Sequence, residues 1–442
     1  MNPFKNFKYN IRICFIIFLP SGVIAQNSTD TLRITLDEAI SITLKNSYEI
    51  QIAKNNVEAN TLLNNYGVAG GLPVVSAALA NTEQITKVKQ KLTDGTEINR
   101  NNAAGNNTQA NVTAGILLYN GGRVVATKKR LSELQTQSAQ YLNSQIQNTI
   151  SLVMTSYYDV VRQQSYLNTV KTSIEASRKR LEILEVRKVA GMANNADIFQ
   201  AQIDLNTLNQ TYLDQQMVAN VAKTELLKIL TLDPKSQIAI RDTIVVDNNL
   251  AIGPILERVS QNPDVLAAET QVRINELIVK ETAALRYPTL RFNMAYNYSR
   301  NQTAAGFTLL NQTSGPNAGL TLAVPLYNGS AFKRQKQVAE INTANARLQK
   351  DVIVRDYNSG IVKMHQTYLS SLEQLEVQKE NYRLSKQLLD LTLQRFQLIQ
   401  ATIIDVREAQ RSFEDSGYRL VNLNYAAKAA EIELKRLSYS LQ

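Results

Sequence analysis

The sequence has one cysteine, one histidine and no tryptophan. The cysteine, Cys14, falls inside a stretch with the pattern of a secretory leader. Lys5, Lys8 and Arg12 give a positive start, Ile13 to Leu19 a short apolar core, and Val23-Ile24-Ala25 an end that predicts cleavage after Ala25. The apolar core is too short to span a bilayer of roughly 30 Å. A mature chain without cysteine excludes disulfides, thiol nucleophiles and thiolate metal sites. Cys14 lies well before the expected cut, which also excludes a lipid-modified cysteine at the cleavage point. After the leader no run reaches the roughly 18 consecutive apolar residues of a membrane helix. Any membrane crossing is therefore made by strands.

Enzyme chemistry has little to build on. His365 is the sole histidine and has no cysteine near it; a mid-helix place on the surface or in a packing seam is expected. There is no Gly-rich phosphate loop, no His-Glu-x-x-His pair and no nucleophile elbow. Asp214 and Glu225 are too dispersed for a catalytic couple, and Tyr157 and Tyr158 are expected to pack. No catalytic, cofactor or metal residue is assigned. The net charge is +10, or +7 once the three basic leader residues are gone. These charges are scattered, with Lys128-Lys129-Arg130 a dense cluster among them, which predicts a solvated helical surface and no nucleic-acid partner.

What the chain does have is a duplication. Tyr119-Asn120-Gly121 recurs as Tyr327-Asn328-Gly329, 208 residues on, and Arg187, Asp197 and Ala201-Gln202 recur at the same offset as Arg395, Asp405 and Ala409-Gln410. Earlier matches, Asn46 with Asn262 and Pro73 with Pro288, lie 216 and 215 apart, which predicts a longer first loop between Pro73 and Tyr119. The expected division is a leader (1–25), a first repeat (26–230), a mixed connector (231–260) and a second repeat (261–442). Each repeat reads helix, two strands, then a long helical hairpin. The strands are expected at about 74–120 and 289–328. The hairpins are expected at about 123–230 and 331–438, with tips near 191–197 and 399–405.

In the second repeat Leu290, Phe292, Met294, Tyr296 and Tyr298 share one strand face, opposite Arg291, Asn293 and Asn297. In the returning strand Leu320, Leu322, Val324 and Leu326 align. Asn99 to Asn111 and Asn311 to Gly319 read as polar loops between strands. A soluble half-buried hairpin gives the same alternation, as does a transmembrane barrel wall. Neither Gly nor Pro occurs between Gly122 and Gly191 or between Gly360 and Gly417. Such runs suit helices on the order of 100 Å long. Tyr368, Leu375, Tyr382, Leu389 and Phe396 recur every seven residues, and Val160, Leu167, Ile174 and Leu181 keep the register 208 earlier. That period commits the helices to supercoiled neighbours. The first tip has Gly191 as a stop and Asn194 or Asn195 as a restart; the second, at Gln400-Ala401-Thr402, lacks a glycine and is the weaker signal.

Four strands in hydrocarbon leave two open edges, and closed barrels begin at about eight strands. Several chains must combine: two give eight strands, three give twelve. At this point the residues carry a resemblance. The Leu36-Asp37-Glu38-Ala39-Ile40 opening, the two Leu-Tyr-Asn-Gly corners, the two tip motifs and the tandem helix-strand-strand-helix order resemble the outer membrane efflux proteins of the TolC family, over essentially the whole mature chain.

The resemblance implies a mainly α fold with a small transmembrane β part. It implies a homotrimer sharing a twelve-stranded barrel in outer membrane lipid, continued as an α-helical barrel through the periplasm. It further implies a passive exit duct in a tripartite efflux or type I secretion system, served by a periplasmic adaptor and an inner-membrane pump or ABC exporter. Hairpin tips around Gly191, Asn194, Asn195, Gln400 and Thr402 would meet the adaptor. The family's entrance pattern, Thr-Ile-Val-Asp-Val-x-Asp, matches Thr402 to Glu408, so Asp405 and Glu408 would form carboxylate rings at the periplasmic constriction. A helix-start role for Asp405, like that of Asp197, stands as the alternative. Tyr119 and Tyr327 are expected at the membrane boundary, with Asn120, Gly121, Asn328 and Gly329 forming strand-to-helix corners. A non-transporting coiled-coil protein of the cell envelope is the competing function.

Overall fold

The computed structural model describes residues 32–441, so the leader expected at 1–25, with Cys14, lies outside the described residues. A two-residue strand β1 (Leu32–Arg33) precedes α1 (Leu36–Asn46) and α2 (Tyr48–Leu63). Then come β2 (Val74–Lys91), β3 (Glu97–Tyr119), α3 (Arg123–Val189) and α4 (Asn195–Ile229). A connector carries β4 (Ile238–Ala239) and α5 (Ile252–Glu257). The order then repeats as α6 (Pro263–Ala284), β5 (Thr289–Thr303), β6 (Leu310–Ala323), α7 (Ala331–Gln397) and α8 (Ile403–Leu437). The fold is mainly α with a small antiparallel sheet.

Thr35 opens α1 with a capping box: its hydroxyl accepts from the Glu38 N–H at 3.4 Å, and its own N–H donates to the Glu38 carboxylate at 2.8 Å. The sequence suggests one helix from here to Leu63. The structure breaks it at Ser47, whose N–H closes α1 on Thr43 and whose hydroxyl caps α2 at Ile50. The break matches the start of α6 in the second repeat, where Asn262 caps Asp264 N and Pro263 sits in the first turn.

Two equivalent apolar clusters anchor the hairpins. Val153, Val160 and Leu226 are buried in the first; Ile361, Tyr368 and Leu434, each 208 residues on, are buried in the second. Tyr157 donates to the Ile34 carbonyl at 3.1 Å and to Asp242 at 2.5 Å, fastening the chain start and the connector to α3. The seven-residue series on α7 points inward: Tyr368, Leu375, Leu389 and Phe396 are buried.

The sheet order is β2-β3-β5-β6, antiparallel throughout, so the two repeats meet at β3–β5. Two expectations change here. The stretch Asn99 to Asn111 is strand within β3, and Asn311 to Gly319 is strand within β6. The extra residues of the first repeat lengthen β2 and β3, and only Leu92 to Thr96 separates them. Backbone ladders need no apolar side chains, so Asn- and Gly-rich segments pair wherever neither face rests on a core. The apolar series ending in Val324 and Leu326 also outruns its strand. β6 stops at Ala323, and Pro325 has no N–H for a ladder.

Candidate functional site

At the first corner, β3 ends on Tyr119 and the backbone turns through Gly121 (φ 68°) and Gly122 (φ 82°), both left-handed. The Asn120 side chain accepts from the Val124 N–H at 3.3 Å. A Cβ on Gly121 would stand 2.7 Å from the Tyr287 Cβ, so glycine is required here for space as well as for φ. The second corner repeats the path with Gly329 and Ser330, both at φ 64°, but nothing lies within 4 Å of a Gly329 Cβ. Tyr327 is 86% exposed and the Asn328 amide nitrogen is buried without a partner. The first corner is locked within the chain, and the second is open.

The two tips share one apolar cluster built from Leu184, Ile198, Phe396 and Val406, with the Arg187 guanidinium 4.2 Å above the Phe396 ring. This brings Gly191 and Asn194 to the same end of the molecule as Gln400 and Thr402. Gly191 follows the last turn of α3 at φ 75°, with Met192 N bonded to Arg187 O at 2.7 Å. Asn194 is the N-cap, accepting from Asp197 N at 2.8 Å, which leaves Asn195 as the first residue of α4. The second tip makes the same closure without glycine: Ile399 takes φ 65°, and Gln400 N bonds Arg395 O at 2.8 Å.

Thr402 then caps α8. The Asp405 carboxylate accepts from both the Thr402 N–H and hydroxyl at 2.8 Å, while Asp405 N donates back to Thr402. These hydrogen bonds, that from the Thr402 N–H foremost, hold the Asp405 carboxyl below the usual carboxylate range. The helix-start role is thus present in the chain, and one carboxylate oxygen is left over. Glu408 lies one turn on, exposed, on a groove shared with Ser385, Arg411, Asp415 and Arg419. Asp405 and Glu408 fall on one side of α8, and the signs alternate beyond them.

Sequence reasoning missed a buried polar seam where α8 lies along α3. Arg180 is fully buried, donating to Asp204 of α4 at 2.8 Å, and its Nε and Nη1 have no partner. Gln410 Oε1, also buried, is unpaired as well. Gln410 donates to Glu414 at 3.1 Å. Burial pushes the Glu414 carboxyl up, against these hydrogen bonds. In sequence Arg180 ends the run Arg178-Lys179-Arg180, which reads as solvated; its place beside Ser173 and Ser177 on the inward face was the available signal. Higher up, buried Glu431 accepts from Lys428, Lys435 and the Asp247 backbone, tying the connector to α8. His365 lies at this level, its Nε2 3.1 Å from the Leu250 carbonyl.

Residues 257–438 match the family model described as outer membrane efflux protein. The outer membrane protein TolC of Vibrio cholerae is 26% identical over 374 residues, 78% of this chain and 80% of that protein. The pyoverdine export outer membrane protein OpmQ of Pseudomonas aeruginosa is 23% identical over 415 residues, 90% of this chain and 81% of that one. Among solved structures, the Campylobacter jejuni CmeC outer membrane channel superposes with a TM-score of 0.77 at 14% identity, covering 98% of this chain and 94% of that one. CusC gives 0.75 at 15% identity and 91% of both chains. The fold is that of the outer membrane channels. By sequence as well, the chain is related to the outer membrane efflux proteins of the TolC family; it is a non-enzymatic protein of the bacterial outer membrane.

Proposed function

We propose that three copies of this chain form the passive exit duct of a tripartite efflux or type I secretion system. The observation that carries this reading is the sheet, which is open at both β2 and β6 while one face is apolar. In hydrocarbon each unpaired backbone group costs several kcal/mol. β6 of one copy runs antiparallel to β2 of the next, so a ring of copies satisfies every edge. Three copies make the twelve-stranded barrel that the resemblance to the TolC family implies.

The helices ask for the same neighbours. On α7, Val377, Leu384 and Leu391 follow one another at seven-residue steps, Leu398 continues the step just past the helix end, and all four are exposed in the single chain. A second seam of supercoil period has no partner within the chain, and an adjoining copy supplies one. With 67 residues, α3 and α7 each extend roughly 100 Å from the membrane, a periplasmic tunnel. Energy comes from an inner-membrane pump or ABC exporter through a periplasmic adaptor. The adaptor docks around Gly191, Asn194, Asn195, Gln400 and Thr402, and Asp405 and Glu408 ring the entrance.

The test is direct. Outer membranes are extracted in mild detergent, and the protein is sized and reconstituted in planar bilayers. A trimer that conducts is expected; a detergent-free soluble monomer without conductance would return the chain to the coiled-coil envelope class.

A further inference from the structure

Four strand segments cross the apolar band: residues 74–82, 107–117, 291–301 and 311–321. Only two of these residues carry a charge, Arg291 and Arg300. Strand parity separates them. Arg300 follows Tyr296 and Tyr298 on the apolar face, where it marks the upper rim of the band. Arg291 shares the other face with Asn293, Asn297 and Asn301.

Side-chain geometry places the guanidinium on that polar face. Strand pairing aligns Gly115 with Asn293, and a Cβ on Gly115 would meet Asn293 Oδ1 at 3.1 Å and Arg291 Nη1 at 3.8 Å. The guanidinium therefore lies over the bare backbone of Gly115. Its neighbours satisfy one another: Ser76 and Thr113 hydroxyls are 2.8 Å apart, and the Asn293 amide donates to Thr321 at 3.2 Å. Among the described residues Arg291 has no ion pair and no side-chain hydrogen bond. It borders a groove lined by Thr113, Asn293, Asn317 and Thr321. A wall of amides and hydroxyls with one unpaired cation is a site for an anion.

We propose that Arg291, repeated around the closed barrel, is a selectivity site for anionic solutes, and that the cargo it suits is a polar molecule bearing phosphate, sulfate or carboxylate groups. The proposal rests on the exit-duct reading above. Twelve strands at about 4.8 Å spacing and roughly 40° tilt give a backbone radius of roughly 12 Å. An extended arginine arm covers roughly half of that. The charge then stands within roughly 6 Å of the axis, less than the Debye length of about 8 Å at physiological ionic strength. The field of the ring fills the opening.

The first turns of α3 and α7, next to the barrel, have the same sign as Arg291. Arg123 opens α3, Lys333 and Arg334 open α7, and no carboxylate appears on either helix before Glu133 and Glu340. The acidic tip residues Asp405 and Glu408 lie at the far end of α7, roughly 100 Å away and many Debye lengths removed. The two ends of the duct thus act on cargo independently.

The experiment uses the full trimer in planar bilayers with inositol hexakisphosphate added on the barrel side, so that the probe meets Arg291 without passing the tips. In 0.1 M salt (on the order of a 10 Å Debye length) the wild type is blocked, and at 1 M, where the length is about 3 Å, the block fades. Arg291→Lys keeps the block; Arg291→Gln weakens it by about tenfold or more; Arg291→Glu abolishes it. Unaltered block in a conducting Arg291→Gln trimer would overturn the selectivity site and leave the duct standing. A wild-type oligomer that does not conduct at all would overturn both. Arg291→Lys, keeping charge and length, separates loss of the site from failure to assemble.

Discussion

Ile399 stands in the backbone conformation of Gly191. The two residues are 208 apart, each follows the long helix of its repeat, and their φ angles are 65° and 75°. Left-handed backbone is ordinary for glycine and costs a side-chain-bearing residue roughly 1–2 kcal/mol, most for one branched at Cβ. Ile399→Gly is therefore expected to steady the second tip by up to about 1 kcal/mol, offset in part by the freer unfolded chain. Gly191→Ile should loosen the first tip by a similar amount. Amide hydrogen exchange of residues 186–198 and 394–406 reads both changes; no slowing in Ile399→Gly would remove the strain argument.

The corners differ in the same measurable way. Gly121→Ala meets both an unfavourable φ and the Tyr287 side chain, whereas Gly329→Ala meets only the φ. The first should cost about 3 kcal/mol, the second about 1 kcal/mol. Thermal dissociation of the oligomer should fall clearly for Gly121→Ala and little for Gly329→Ala.

Arg180 and Asp204 make a pair of which only the carboxylate touches solvent. Asp204→Ala strands a buried guanidinium and is expected to cost about 3 kcal/mol. Adding Arg180→Leu should recover most of that loss, since an apolar side chain at this buried position leaves no charge without a partner. Urea unfolding followed by helical circular dichroism separates the single from the double variant; equal midpoints would mean the pair carries no coupling.

Glu414 supplies a pH signature. Burial raises its carboxyl, so the folded chain holds the proton where the unfolded chain has released it. Stability from this group is greatest below the unfolded value of about 4.3 and declines as pH rises toward the raised folded one. Glu414→Gln should thus gain stability at pH 7 and flatten the decline that sets in above the unfolded value of about 4.3. An unchanged slope would place that pH dependence elsewhere. Asp405 has the opposite sign: its lowered carboxyl keeps the Thr402 cap intact down through the ordinary carboxylate range.

Much of this was legible in the residues. The 208 offset foretells both long helices, both corners and both tips, because each needs a particular short pattern at a fixed place. The tip at Ile399 was harder, since nothing in Leu398-Ile399-Gln400 advertises a left-handed turn; only its alignment with Gly191 does. The long Asn-rich strand reads as loop because its alternation fades once the outer face leaves the apolar band. Beyond Leu79 and Ala110, neither face need be apolar. Arg180 hides in a charge run for a different reason. Its burial depends on α4 and α8, which lie far along the chain.

The central pairing of the sheet has a consequence for biogenesis. β3 and β5 are neighbours, yet Gly105 and its partner Thr303 are separated by two long helices and the whole connector. Closing that gap carries a loop entropy that local hairpins do not, and such non-local pairing is slow. The first apolar hairpin is made long before its partner leaves the ribosome. It must cross the inner membrane and wait, soluble or escorted, until the second repeat arrives. The wall therefore cannot be laid into lipid one hairpin at a time. The chain must be complete before the first strand has a place to go.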